Sequence, residues 1–178
     1  MTDVRLYLVK PTADDEQAVW EYRATCDIPA GSQDIPGSCR LREAASFAAW
    51  FARVEQIADA SRTPEGHVAA TTYLAKHVED GRLIGTIQIR HGLTPHLLEF
   101  GGHIGYSVAP RERGHGYGTE MLGLALDKCA EMGISPVLVT CKKPNVASAK
   151  VIQANGGKLE NEVQEGEFTV QRYWIGDV

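Results

Sequence analysis

Val4 to Lys10 (VRLYLVK) alternates apolar and polar positions and stops at Pro11, which predicts a first strand. Asp14 to Arg23 predicts a short helix, with acids in its first turn where the helix dipole is positive. Pro29, Gly31, Pro36 and Gly37 punctuate Cys26 to Arg40, which reads as a loop. In Arg42 to Ala60, Phe47, Trp50, Phe51, Val54 and Ile57 recur every three or four positions, one face of a helix, and Ser61 to Gly66 breaks the chain again.

Period two then returns. Val68 to Lys76, Leu83 to Arg90 and His103 to Val108 are predicted strands, with Glu79 to Arg82 turning the first pair and His91 to Phe100 linking the second. Gly116 to Met132 predicts a helix with Met121, Leu122, Ala125, Leu126, Cys129 and Met132 in one stripe, stopped by Gly133. Pro136 to Cys141 (PVLVTC) is a compact apolar run, buried on both faces if it lies parallel to its neighbour. A helix over Asn145 to Ala154 and a hairpin of Leu159 to Val163 with Phe168 to Ile175 complete the chain. The fold class is α/β, a mixed α+β sheet with flanking helices. No linker or repeat divides residues 1–178, which read as one domain.

Composition narrows the function. At 178 residues and 43% hydrophobic, the chain can bury its own core and is not disordered. Eighteen Lys and Arg against 23 Asp and Glu, a net charge of −5, give no electrostatic case for a nucleic-acid partner. No apolar segment reaches the ~18 residues of a membrane span, and the N-terminus lacks a signal-peptide pattern. A cytoplasmic location and no membrane partner are expected. Cys26, Cys39, Cys129 and Cys141 follow no paired spacing and read as free thiols. His91, His96 and His103 fit no ligand pattern, so no metal is expected.

The chemistry concentrates in Gly105 to Glu120 (GYSVAPRERGHGYGTE), where a strand runs into a glycine-rich loop that opens a helix. Glycines let the backbone approach a ligand, and a helix start offers unpaired N–H groups at a positive dipole end. Together they suit a pyrophosphate. The P-loop pattern is missing, and the third glycine comes one residue early for a dinucleotide fingerprint.

Arg113 to Gly118 resembles the R/Q-x-x-G-x-G/A signature of the GNAT superfamily of N-acetyltransferases. Ile104 to Pro110 is similar to that superfamily's fourth strand, and Asn145 to Ser148 to its N-x-x-S helix start. The ending Gln171 to Ile175 resembles a subgroup of predicted bacterial acetyltransferases. The resemblance implies the single-domain acyl-CoA N-acyltransferase fold, with splayed central strands and acetyl-CoA as co-substrate. By that resemblance the amides of Arg113, Gly114, His115, Gly116, Tyr117, Gly118 and Thr119 hold the pyrophosphate. The main chain around Ser107 and Val108 bonds the pantetheine, the Val108 amide polarises the thioester carbonyl, and Asn145 and Ser148 flank the pantetheine arm. Asn145 equally suits a plain helix N-cap.

The implied reaction is direct attack of an amine on the thioester, so the amine must lose a proton and the departing thiolate gains one. Relatives often carry the acid as a Tyr at the position of Ile152, which this chain lacks. Tyr106, Tyr117 and Tyr173 are the substitutes, and Tyr173 is the catalytic candidate among them. Glu99 and His103, before and on the fourth strand, are the candidate bases. The acceptor is expected to be a small-molecule or peptide amine, favoured as a cation by Asp27, Asp34 and Glu99, and the protein a monomer or homodimer. A catalytically silent acyl-CoA sensor, O-acetylation and a longer acyl donor are the alternatives.

Overall fold

The computed structural model describes residues 3–177. The chain runs β1 (Leu6–Val9), α1 (Glu16–Thr25), α2 (Phe47–Ala58), β2 (Ala70–His77), β3 (Leu83–Arg90), β4 (Ile104–Val108), α3 (Tyr117–Glu131), β5 (Val137–Lys142), α4 (Val146–Ala154), β6 (Lys158–Glu165) and β7 (Phe168–Ile175). The first four strands form one antiparallel sheet in the order β1-β2-β3-β4, and the last three form another in the order β5-β7-β6.

The first sheet is buried on both faces. On β2, Tyr73 and Ala75 enter a core under α3, whereas Leu74 enters a second core beneath α1 and α2. That is the period-two alternation of a strand, with both sides apolar. The α3 core continues through Val137, Val139, Tyr173 and Ile175, so one apolar layer unites the two sheets.

Two predicted elements differ in outline. The second helix starts at Phe47 rather than Arg42, because Ser46 caps it by accepting from the Ala49 N–H at 3.1 Å. Its preceding residues are committed elsewhere, with Arg23 donating to the carbonyls of Leu41 and Arg42. Ser46→Ala should cost about 1 kcal/mol of stability, read as a lowered urea midpoint at unchanged slope. An unaltered midpoint would show that tertiary packing alone fixes the helix start. The apolar run of β5 has no parallel partner in its ladder; it pairs antiparallel with β7. Val137, Val139 and Cys141 are buried in the core under α3, and the returning C-terminal hairpin pairs with the strand's edge.

The loop over 26–40 is tightly tied rather than free. The Asp34 carboxylate accepts from the N–H groups of Ile35, Arg42 and Glu43, and Trp50 Nε1 donates to the Ser38 carbonyl at 2.7 Å. Gly37, at φ +73°, presses its backbone on β4: a Cβ there would stand 2.3 Å from the Gly105 carbonyl oxygen. Any larger residue would lift the loop off the strand.

Candidate active site

The two sheets meet edge to edge at β4 and β5 without sharing a ladder. His103 joins them: its N–H donates to the Leu138 carbonyl at 2.7 Å, and the Leu138 N–H donates to its Nδ1 at 2.9 Å. Past that bracket the strands part around a cavity of about 1070 Å³, lined by β4, β5, the 26–40 loop and the starts of α3 and α4. This is large for a small-molecule pocket and suits an extended ligand.

The open edge of β4 carries unused hydrogen-bonding groups. Arg90 N–H donates to the His103 carbonyl and Ala109 N–H to that of Ile84, so odd-numbered residues of β4 face β3. In an antiparallel ladder the intervening residues point the other way. The N–H groups of Tyr106 and Val108 therefore face the cleft. The Ser107 backbone points toward β3, while its hydroxyl bonds Tyr22 and lies 3.3 Å from that of Thr86.

At the end of β4 the chain turns through 113–116 into α3. Gly114 and Gly116 adopt φ +79° and +80°, a left-handed conformation that glycine takes without strain. None of the N–H groups from Gly114 to Thr119 donates to a protein acceptor among the described residues. Such a run of free amides at a helix start is an anion cradle. It is braced from behind by Arg5, whose Nη1 donates to the His115 carbonyl at 2.9 Å and whose guanidinium stacks on Tyr117. Glu120 fixes Arg5 in turn, accepting from its N–H and from its Nε. Arg5 and Glu120 were not legible as part of this loop, because their partnership spans 115 residues.

Across the cleft, Asn145 caps α4, accepting from the Ser148 N–H at 3.2 Å. The Tyr106 hydroxyl reaches from β4 to Ser148 Oγ at 2.8 Å. Burial pushes the Tyr106 phenol up to about 12, so it stays protonated under ordinary conditions. Ile152 is fully buried, 0% exposed, and offers no polar group. Cys141 also lines the cleft, but burial raises its thiol to about 11, and so it is a poor nucleophile. All four cysteines are buried and unpaired.

The cleft thus gathers Ser107, Val108, Arg113, Gly114, Gly116 to Thr119, Asn145 and Ser148, with the His115 backbone in the same loop. It does not gather the three catalytic candidates. Glu99 is exposed on a single π turn, Leu97–Gly101, outside the cavity lining. Tyr173 is 2% exposed, and its hydroxyl donates to Gln171. His103 is 8% exposed, with Nδ1 occupied by the Leu138 N–H. Burial and the charge of Arg90 hold its imidazole below the ordinary 6.5. The unfolded chain therefore takes up this proton first as pH falls, and stability drops below about pH 6.5. His103→Asn keeps an acceptor for Leu138 and should flatten that acid limb of the unfolding free energy; an unchanged slope would contradict the bracket.

Two of the three acids expected to attract a cation are also engaged. Asp27 pairs with Arg113 at 2.6 Å, which holds its carboxyl below the usual range, and Asp34 serves the loop backbone. Among the described residues no three metal-ligating side chains gather, and no helix is long and apolar enough to cross a membrane.

Comparison with known proteins agrees with this geometry. The Acetyltransferase (GNAT) domain family matches residues 5–158. No curated protein sequence matches. Among solved structures, a ribosomal-protein-S5-alanine acetyltransferase from Vibrio fischeri superposes with a TM-score of 0.68 at 17% identity, covering 99% of this chain and 96% of that one. A ribosomal L7/L12 alpha-N-protein acetyltransferase in complex with coenzyme A gives 0.66 at 18%, covering 98% and 96%. The microcin C7 self-immunity acetyltransferase, in complex with acetyl-CoA and AMP, gives 0.61 at 14%, covering 98% and 94%. Splayed β4 and β5, the free amides before α3 and the family match over residues 5–158 converge: the chain belongs to the GNAT acetyltransferase family, whose chemistry is acyl transfer from acetyl-CoA.

Proposed function

We propose that the protein transfers the acetyl group of acetyl-CoA to a primary amine of a small molecule or peptide, by direct attack within a ternary complex. The observation that carries this reading is the cleft itself. Free amides at 114–119 suit the pyrophosphate at one end, and the outward N–H of Val108 suits the thioester carbonyl further along β4. An N–H donor at that oxygen stabilises the negative charge of the tetrahedral intermediate.

The departing sulfur needs less help than an alkoxide, since a thiol has an ordinary pKa of ~8.5. A phenol held near 12 does not surrender its proton to such a thiolate, but it can donate a hydrogen bond. Tyr106 and Ser148 form that hydroxyl pair, in place of the side chain lost at Ile152. The acceptor enters as a free amine, and its proton leaves to water in the open cleft. Glu99, His103 and Tyr173 have no part in this reading, since none lines the cleft. Two of the similar solved structures are, by name, acetyltransferases of ribosomal proteins, and that supports a peptide amine as one acceptor class.

Thiol release from acetyl-CoA, measured against amines and their hydroxyl counterparts, tests the proposal. Turnover with amines and none with alcohols is expected. Turnover confined to alcohols would make the protein an O-acetyltransferase, and binding without turnover would make it a sensor.

A further inference from the structure

Every acid in the cleft wall has a basic side chain beside it. Asp27 meets Arg113, Glu112 meets Arg82, and Glu165 lies 3.9 Å from His96 Nε2. The cations are unevenly served. Lys142 donates to the Ala30 carbonyl and sits over the Phe168 ring, and Lys150 is exposed at the phosphate end. Arg90, the last residue of β3, is the exception. Its Nη1 donates to the carbonyls of Gly101 and Gly102, both at 3.0 Å. Its Nε and Nη2 find no acceptor, and no carboxylate pairs with it, among the described residues. Nη2 lies against Gly105 on β4, 3.4 Å from where a Cβ would stand. Gly105 and Arg90 both line the cleft, on the side away from the glycine loop.

An arginine stays charged in proteins, and a charge withdrawn from water is stable when paired. Burial already works against this guanidinium, whose pKa it lowers. The free Nε–Nη2 edge offers two parallel N–H donors, the arrangement that takes a carboxylate side-on. Resting on the acetyl-transfer reading above, we propose that Arg90 binds a carboxylate of the acceptor, so that the substrate is an amine bearing a carboxylate several bonds away. Gly105 precedes Val108 by three residues, a rise of ~10 Å along a strand. The amine near Val108 and the carboxylate near Gly105 therefore belong to a longer molecule than an α-amino acid. An ω-amino acid or a peptide amine with an acidic neighbour has that span.

The experiment compares ω-amino acids from glycine to 6-aminohexanoate with their carboxamides, in thiol release and in calorimetric titration of the CoA-loaded protein. The native protein should prefer the acid over the amide by about 10-fold or more, as expected for a charged partner, most clearly in the longer members. Arg90→Gln should bring that ratio near one, and Arg90→Lys should restore part of it. Equal use of acids and amides by the native protein would overturn the assignment while leaving acetyl transfer intact. Loss of both substrates together in Arg90→Gln, with the acid-to-amide ratio kept, would reduce Arg90 to a clamp on 101–102. Should no amine be acetylated, the acetyl-transfer reading fails, yet the titration still decides whether a carboxylate binds.

Discussion

Gly116→Val should abolish measurable acetyl-CoA binding. Gly116 starts α3 at φ +80°, and a β-branched residue cannot hold that conformation without strain. The loop must turn differently, and the free amides of 114–119 no longer converge. Hydrogen bonds to a charged group contribute about 1.5–3 kcal/mol each. Losing two of them lowers affinity by roughly 100-fold or more. Gly133→Val is the matched control, because Gly133 has φ +74° and lies outside the cleft lining. It should lose stability without losing affinity. Native affinity in Gly116→Val, read by calorimetry, would remove the phosphate role of the loop.

Tyr106→Phe should lower kcat by about 10–100-fold, the worth of one hydrogen bond to a developing charge. KM for acetyl-CoA should change little, because the phenol acts on the leaving sulfur and the loop amides are untouched. The sign of the pH dependence follows from its pKa. With the phenol held up to about 12, its proton stays on across the working range, and activity should rise with pH as the amine loses its proton. No alkaline decline from Tyr106 is expected below about pH 10. Tyr173→Phe, whose hydroxyl contacts Gln171 away from the cleft, should leave kcat near native. A full kcat in Tyr106→Phe, or a collapse in Tyr173→Phe, would return the role to Tyr173.

Much of this was legible along the chain, and the physics explains which parts. The glycine loop is local: its spacing, the strand before it and the helix after it lie within a few residues. The helix start at Asn145 is local as well. What lies in the cleft wall depends on register. Tyr106 and Ser148 stand 42 positions apart, and only the splay of β4 from β5 brings their hydroxyls together. Arg90 is a cation ending an otherwise uncharged strand, and nothing local distinguishes it from a solvated strand end. His103 sits where a base was expected, yet its ring binds the backbone of the neighbouring sheet. The run at Pro136 to Cys141 fits either strand direction, and the distant C-terminal hairpin decides it.

The most direct test of acetyl transfer varies acetyl-CoA and a primary amine together and follows both thiol release and the mass of the product. Direct attack in a ternary complex predicts double-reciprocal lines that intersect and one N-acetyl product for each thiol released. Parallel lines with acetyl trapped on Cys141 would contradict it.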